Sequence, residues 1–334
     1  MKQAVVEVVG RCMRLAPLKR TMTTFFSRRI GIFLYHGVWP AGSEALRVFG
    51  GMALDRFEDE LSAFKRYFEF VTLSEILEAP RRIAARQPLA ALTFDDGFDL
   101  TAGGATEVLD RLGIPATIFV NTASVRYERA MWQHKLQAIR AMRGAERYLR
   151  ALNQVVEKTG LDPIRDPQQQ LAATRRWPAA RKDEYVEDVW RLSGMGPSEE
   201  FLAEHRIYFD WPGLRDWMAR GHRVGFHSDT HPFCSALDDA EVESELVAPL
   251  DEIRANLGVT EVPFAYPFGD RLPPDAEARL AGRRLFSCLL GTSWIMPGRS
   301  DPNRLDRIDA ELGLNAAVFG WPVVMELKRR LTLQ

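Results

Sequence analysis

Leu89-Ala90-Ala91-Leu92-Thr93-Phe94-Asp95-Asp96-Gly97-Phe98 is an apolar, strand-like run that ends on two adjacent carboxylates and a glycine. The glycine lets the backbone turn sharply straight after the strand. Adjacent carboxylates repel each other. Setting them at the end of a buried strand raises that cost unless a cation or a proton relieves it. An isolated Asp-Asp-Gly is equally well read as a plain acidic turn. What changes the balance is a second stretch far downstream, His227-Ser228-Asp229-Thr230-His231, which follows another strand-like run, Gly221-His222-Arg223-Val224-Gly225-Phe226.

Outward from these two stretches the chain alternates. Ile30-Gly31-Ile32-Phe33-Leu34-Tyr35 is a β-rich run that stops at His36-Gly37, and the apolar spacing over 55–68 is helical. Val71-Thr72-Leu73 predicts a short strand, with Ser74 capping the helix that follows. A helix near 101–112 leads through Gly113-Ile114-Pro115 to a strand at 116–120. Further strands are expected at 262–266, 285–289 and 305–310, with helices at 212–220 and 315–331. This rhythm predicts an α/β fold with a mainly parallel sheet. From about 125 to 205 the alternation stops in favour of Arg, Glu, Gln and Ala, which predicts a helical insertion of some 80 residues.

Composition sets limits on the rest. A chain of 334 residues with 46% hydrophobic content has enough apolar surface for a large core, and its net charge of −1 gives no pointer to nucleic acid. Its three cysteines, Cys12, Cys234 and Cys288, are too scattered for a disulfide framework. No apolar run approaches the roughly 18–20 residues of a membrane-spanning helix. Residues 1–29 carry seven Lys and Arg against Glu7 alone, interleaved with apolar residues. They are no convincing secretory signal, because Glu7 and Arg11 interrupt the apolar stretch. Two readings stand for this segment: a basic amphipathic helix resting on an anionic membrane, or an ordinary solvated helix. The expectation is a cytoplasmic protein.

His227 and His231 lie four apart, which on one helical turn would bring both imidazoles to one face, a common way to hold a divalent metal. Two histidines and one carboxylate leave coordination positions open, the arrangement of catalytic rather than structural zinc. Asp96 would be the carboxylate, and Asp95 would be free to accept a proton from water. Active sites of parallel α/β barrels collect at the C-terminal ends of the strands, where both motifs fall.

Together, Thr93-Phe94-Asp95-Asp96-Gly97 and His227-Ser228-Asp229-Thr230-His231 resemble the first two motifs of the polysaccharide deacetylases, the NodB-type carbohydrate esterases of family 4. The likeness covers roughly 30–125 and 205–312 and implies a distorted (β/α)7-type barrel interrupted by the insertion. It implies Asp95 as general base and Asp96, His227 and His231 as metal ligands. The ion would be Zn²⁺, with Co²⁺, Ni²⁺ or Fe²⁺ also accepted. The third family motif usually reads Arg-x-Pro-Tyr/Phe. Here Ala265-Tyr266-Pro267-Phe268-Gly269 keeps Pro267 and Phe268, whose N–H would help hold an oxyanion. Ala265 replaces the arginine, and Arg307 is the substitute considered. The family's late Leu-x-His is missing, since no histidine follows His231. Leu34-Tyr35-His36-Gly37 instead resembles the circularly permuted branch that deacetylates poly-N-acetylglucosamine. A closed barrel makes its first and last strands neighbours, so His36 is expected as the general acid.

The activity implied is metal-dependent removal of N-acetyl groups from N-acetylhexosamine units of a polysaccharide or its lipid-linked precursor. The partner is then an N-acetylated glycan. Two other readings remain: an amidase on a small non-sugar substrate, and a non-catalytic glycan-binding barrel. Outside the motifs, ordinary roles are expected. His134 has two readings, a residue facing the site or an ordinary helix position in the insertion, the second preferred; His205 and His222 have no motif partners. Asp99 and Asp229 would orient neighbours, while Trp132, Trp177, Trp190 and Trp294 are core more often than sugar platforms.

Overall fold

Seven parallel strands close on themselves. The computed structural model describes residues 31–78, 88–292 and 304–311. The expected helices at 1–29 and 315–331, with Cys12 and Trp294, lie outside those residues. Strand β1 is Gly31–Tyr35, and two short strands, β2 (Val38–Trp39) and β3 (Met52–Ala53), pair with each other beside it. Strand β4 is Glu69–Phe70, β5 Leu89–Phe94, β6 Ala116–Val120, β7 Arg223–Phe226, β8 Phe264–Ala265, β9 Leu289–Thr292 and β10 Arg304–Asp309. The sheet runs β1-β10-β9-β8-β7-β6-β5, and β5 pairs back onto β1 with Phe33 opposite Leu92. Strand β4 adds to the start of β5 outside this ring. The result is a closed (β/α)7-type barrel.

A strand's side chains alternate between two faces, so the sequence decides what each strand turns inward. One layer, Ile32, Ala91, Phe119, Ala265, Leu290 and Leu305, takes a residue from each of six strands and forms its own apolar cluster. Counting on in twos from that layer gives Asp95, Asn121, His227 and Arg307 at the strands' C-terminal ends. At the seventh strand the inward position is Gly225. A Cβ there would lie 2.4 Å from the Phe119 ring, so glycine leaves room for Phe119. The alternate residues, among them Phe33, Tyr35, Leu92, Phe94, Ile118, Phe226 and Phe264, build a second core with the surrounding helices.

Three local expectations are corrected. The strand expected at 71–73 is Glu69–Phe70, and the following helix, Leu73–Glu78, begins earlier than Ser74 predicts. Thr72 is the cap: its Oγ1 accepts from Glu75 N–H, and the Glu75 carboxylate accepts from Thr72 N–H at 2.8 Å. This reciprocal pair outcompetes a lone serine. The strand expected at 285–289 runs instead over Leu289–Thr292, where pairing with Arg304–Arg307 sets its register.

Between β6 and the helix Trp211–Ala219 that leads into β7, the chain forms five helices of six residues or more: Trp132–Arg143, Ala145–Lys158, Gln170–Arg175, Ala179–Leu192 and Ser198–His205. Trp132, Tyr148, Leu152, Trp177, Val186, Val189 and Trp190 make a core of their own. That core also takes in Trp39, Phe49, Phe98 and Phe233, which follow barrel strands, so the insertion is packed onto the mouth where the two motifs lie. Among the described residues, no helix is long and apolar enough to cross a membrane.

Candidate active site

Asp95 and Asp96 leave β5 in opposite roles because the backbone turns between them. Asp96 and Gly97 both adopt positive φ, 70° and 67°, a left-handed pair that aspartate and glycine tolerate best. Asp95 keeps its inward direction and meets Arg307 from β10. The guanidinium reaches both carboxylate oxygens, Nη1 to Oδ1 at 2.5 Å and Nη2 to Oδ2 at 2.7 Å. Arg307 has no exposure to water and Asp95 has 3%, so each charge depends on the other. Burial works against the Asp95 charge. The Arg307 guanidinium more than offsets it, with help from the His36 imidazolium, and the carboxyl is held below its ordinary range. The same guanidinium lies 5.2 Å over the Phe119 ring.

His227 and His231 do not sit on a helical turn, as their spacing predicted. They lie on a loop, with Ser228 and His231 at positive φ of 73° and 62°. Asn121, the inward residue after β6, folds that loop by donating from its amide to the His227 carbonyl at 2.6 Å and the Ser228 carbonyl at 3.2 Å. Ser228 Oγ accepts from His231 N–H at 3.0 Å, and Glu245 accepts from both the Thr230 N–H and its hydroxyl. Glu245 belongs to a π-helical turn, Glu243–Val247, a feature that often marks functional sites.

These elements bring ligand atoms of Asp96, His227 and His231 within 4.8 Å of one another, all three buried. Asp96 Oδ1 is 3.2 Å from His231 Nε2 and 3.7 Å from His227 Nε2. Tetrahedral zinc with bonds of 2.0–2.1 Å sets its ligand atoms about 3.4 Å apart, so the spacing fits such an ion. His227 donates from Nδ1 to the Ala265 carbonyl at 2.7 Å, which leaves Nε2 as the free lone pair. Burial pushes its pKa down to about 4, so it stays neutral, the form that binds metal. Asp96 Oδ1 and His231 Nδ1 are buried without a hydrogen-bond partner. A cation would give that carboxylate oxygen what the protein withholds.

His36 lies at the tip of β1, across the barrel seam from β10, whose Ile308 pairs with Phe33. Its partner is one that sequence reasoning missed. Glu311 accepts from the His36 backbone N–H at 2.7 Å and stands 3.3 Å from Nδ1 of the ring. Burial opposes the imidazolium, but the Glu311 carboxylate outweighs it, aided by Asp96 and Asp95, and the pKa rises to about 10. The side chain is 36% exposed, so solvent screens part of that attraction. The adjacency of first and last strands was the available signal for Glu311, an acid two residues past the end of β10.

Pro267 is buried and Phe268 half-exposed at the mouth, in a tight turn where Phe268 has a φ of 57°. The Phe268 ring stacks on Phe233 at 4.5 Å and stands edge-on to His231 at 4.5 Å. Trp132 is buried and donates from its indole N–H to the His231 carbonyl at 2.9 Å. Trp177 and Trp190 are buried in the insertion's core. Cys234 and Cys288 are buried free thiols, neither in the metal-ligating cluster. Asp229 pairs with Arg126 at 3.0 Å, Asp99 caps the turn at Thr101, and His222 stacks on Trp217 at 3.9 Å. His134 takes the less favoured of its two sequence readings and faces the site: its Nε2 is 3.1 Å from Asp96 Oδ2.

Residues 178–284 match the family model described as polysaccharide deacetylase. That span holds His227, His231, Pro267 and Phe268. His36, Asp95, Asp96 and Arg307 lie outside it and join it through the closed barrel. No curated protein matches the chain in sequence. Among solved structures, the chain is similar to a Streptococcus pyogenes deacetylase, PplD, solved with acetate, at 14% identity and a TM-score of 0.54 over 84% of this chain and 92% of that one. It is similar to a de-N-acetylase from Aggregatibacter actinomycetemcomitans at 14% identity and 0.51, over 86% and 98%. IcaB from Ammonifex degensii is a third, at 16% and 0.50, over 87% and 97%.

Proposed function

We propose that the chain is a polysaccharide deacetylase, which hydrolyses N-acetyl groups from N-acetylhexosamine units of a glycan and releases acetate and a free amine; the family match over 178–284 and the shared fold support this. The observation that carries this reading is the division of the Asp-Asp turn. Asp96 faces two histidine nitrogens with an unpaired oxygen, while Asp95 is clamped by Arg307 at the same mouth.

Asp96, His227 and His231 would hold a divalent cation, Zn²⁺ first among them, which when bound acidifies water and polarises a carbonyl. Asp95 accepts the proton of the attacking water, and Arg307 fixes the orientation of its carboxylate. The backbone N–H of Phe268 donates to the oxyanion of the tetrahedral intermediate. His36, kept protonated by Glu311, donates a proton to the departing sugar amine as the carbon–nitrogen bond breaks. Base and acid thus come from neighbouring strands, β5 and β1, with opposite proton inventories at neutral pH. The finer proposal is a lipid-linked or cytosolic glycan as substrate, with the protein on the cytoplasmic side. Fractionation that placed the protein outside the inner membrane would overturn that part.

The test is acetate release from a panel of N-acetylated oligosaccharides alongside cyclic ureides and imides. Acetate from N-acetylglucosamine or N-acetylgalactosamine oligomers supports the proposal. Turnover confined to the small cyclic amides would replace it with the amidase reading.

A further inference from the structure

The insertion contributes a side chain to the cluster of Asp96, His227 and His231. Asp96 has two carboxylate oxygens, and the structure uses them differently. Oδ1 faces His227 and His231 and receives no hydrogen bond. Oδ2 lies 3.1 Å from Nε2 of His134, on the helix Trp132–Arg143. The His134 ring is 2% exposed and packs against Phe98 at 4.6 Å. Its other nitrogen, Nδ1, is 2.6 Å from the Tyr208 hydroxyl. Tyr208 follows the last helix of the insertion and bridges to Phe98 just past the Asp-Asp turn.

The proton positions in this chain follow from what each group is able to do. Tyr208 Oη accepts from the Met131 N–H at 3.2 Å, and a backbone amide only donates. An ionised Asp96 only accepts, so the nitrogen facing it must carry the hydrogen. His134 thus presents Nε2–H to Asp96, and in the neutral ring the bare Nδ1 accepts a hydrogen bond from the Tyr208 hydroxyl. Tyr208 donates to His134, and His134 donates to Asp96.

We propose that His134, oriented by Tyr208, is a positioning residue for the metal centre: it occupies Oδ2 so that Asp96 offers the cation a single, aimed oxygen. Without that donor, Oδ2 is free to swing toward the same ion, and the carboxylate loses its fixed direction. Outer groups that orient metal ligands typically govern affinity by 10–100-fold. The insertion is then part of the centre rather than an appendage to the barrel. The inference rests on Asp96 being a metal ligand, and its test separates the two claims.

The experiment titrates apo full-length protein with Zn²⁺ and with Co²⁺, reading dissociation constants and the visible absorption of the Co²⁺ form. His134→Leu should weaken both metals about 10–100-fold and change the Co²⁺ spectrum. His134→Gln restores a side-chain N–H near the Nε2 position and should recover most of that loss. Tyr208→Phe, which keeps the ring and its packing, should shift affinity in the same direction as His134→Leu and carries the test if the leucine variant does not fold. Wild-type protein that binds neither ion would refute the metal reading itself. Wild-type binding with unchanged affinity and spectrum in His134→Leu and Tyr208→Phe, whatever their thermal stability, would refute the role of His134 alone.

Discussion

Arg307 and Asp95 illustrate how one buried pair sets both stability and chemistry. With Arg307 fully buried and Asp95 nearly so, removing the guanidinium strands a carboxylate in the barrel. Arg307→Ala should cost about 3–5 kcal/mol in denaturant unfolding. The sign of the accompanying pH effect is fixed. The Asp95 carboxyl sits below its ordinary range chiefly because Arg307 offsets its burial, so losing Arg307 raises its pKa and moves the acid limb of the rate profile to higher pH. At the other side of the mouth the sign reverses. Glu311 holds the His36 imidazolium against burial, up to a pKa of about 10. Glu311→Gln should bring the alkaline limb of the rate profile down in pH, and a profile that stayed in place would remove His36 from the role of acid. At this scale the sequence was informative where chemistry is local. The Asp-Asp turn and the paired histidines are contiguous motifs, and Arg307 was reachable by asking what replaces a missing arginine. His134, Tyr208 and Glu311 were not legible in the same way, because each gains its role from packing against an element distant in sequence.

The loop from His227 to His231 shows why spacing alone misleads about elements. Four residues apart suits a helix, yet two left-handed residues and the Asn121 amide hold the segment as a tight loop after β7. The ring centroids still end 4.9 Å apart. The helical reading thus found the right pair by the wrong geometry. Asn121 is the residue this element depends on, being fully buried and bonded to two carbonyls of the loop. Asn121→Ala should weaken metal binding about tenfold, as loss of a ligand's supporting shell does, with a stability cost of about 1–3 kcal/mol for the stranded carbonyls. Metal titration and thermal unfolding on the same variant check both. The helix-start error at Ser74 has a similar origin. Thr72 wins the cap because Glu75 completes a reciprocal pair with it, a contest between two adequate residues that only the folded backbone settles.

At the scale of the whole molecule, barrel closure is what lets residues 36, 95, 227 and 307 share one mouth. Strand β5 pairs with both β1 and β6, and β10 pairs with β1, so the N-terminal histidine and the C-terminal Glu311 become neighbours across the seam. The α/β alternation made the architecture legible, since each strand carries its own apolar signature and each helix its own period. What alternation could not convey is that the insertion packs over the mouth and reaches Asp96, because helical spacing describes only its internal core. The division of labour between the two aspartates underlies the rest of the chemistry at the mouth. It is tested most directly by measuring metal content per chain together with acetate release from an N-acetylglucosamine oligomer, in Asp95→Asn and Asp96→Asn. Asp95→Asn should keep one metal per chain and lose about 10²–10⁴ in turnover, the range of general acid–base catalysis, while Asp96→Asn should lose metal and turnover together. Asp95→Asn without its metal, or Asp96→Asn with metal and activity intact, would contradict the assignment.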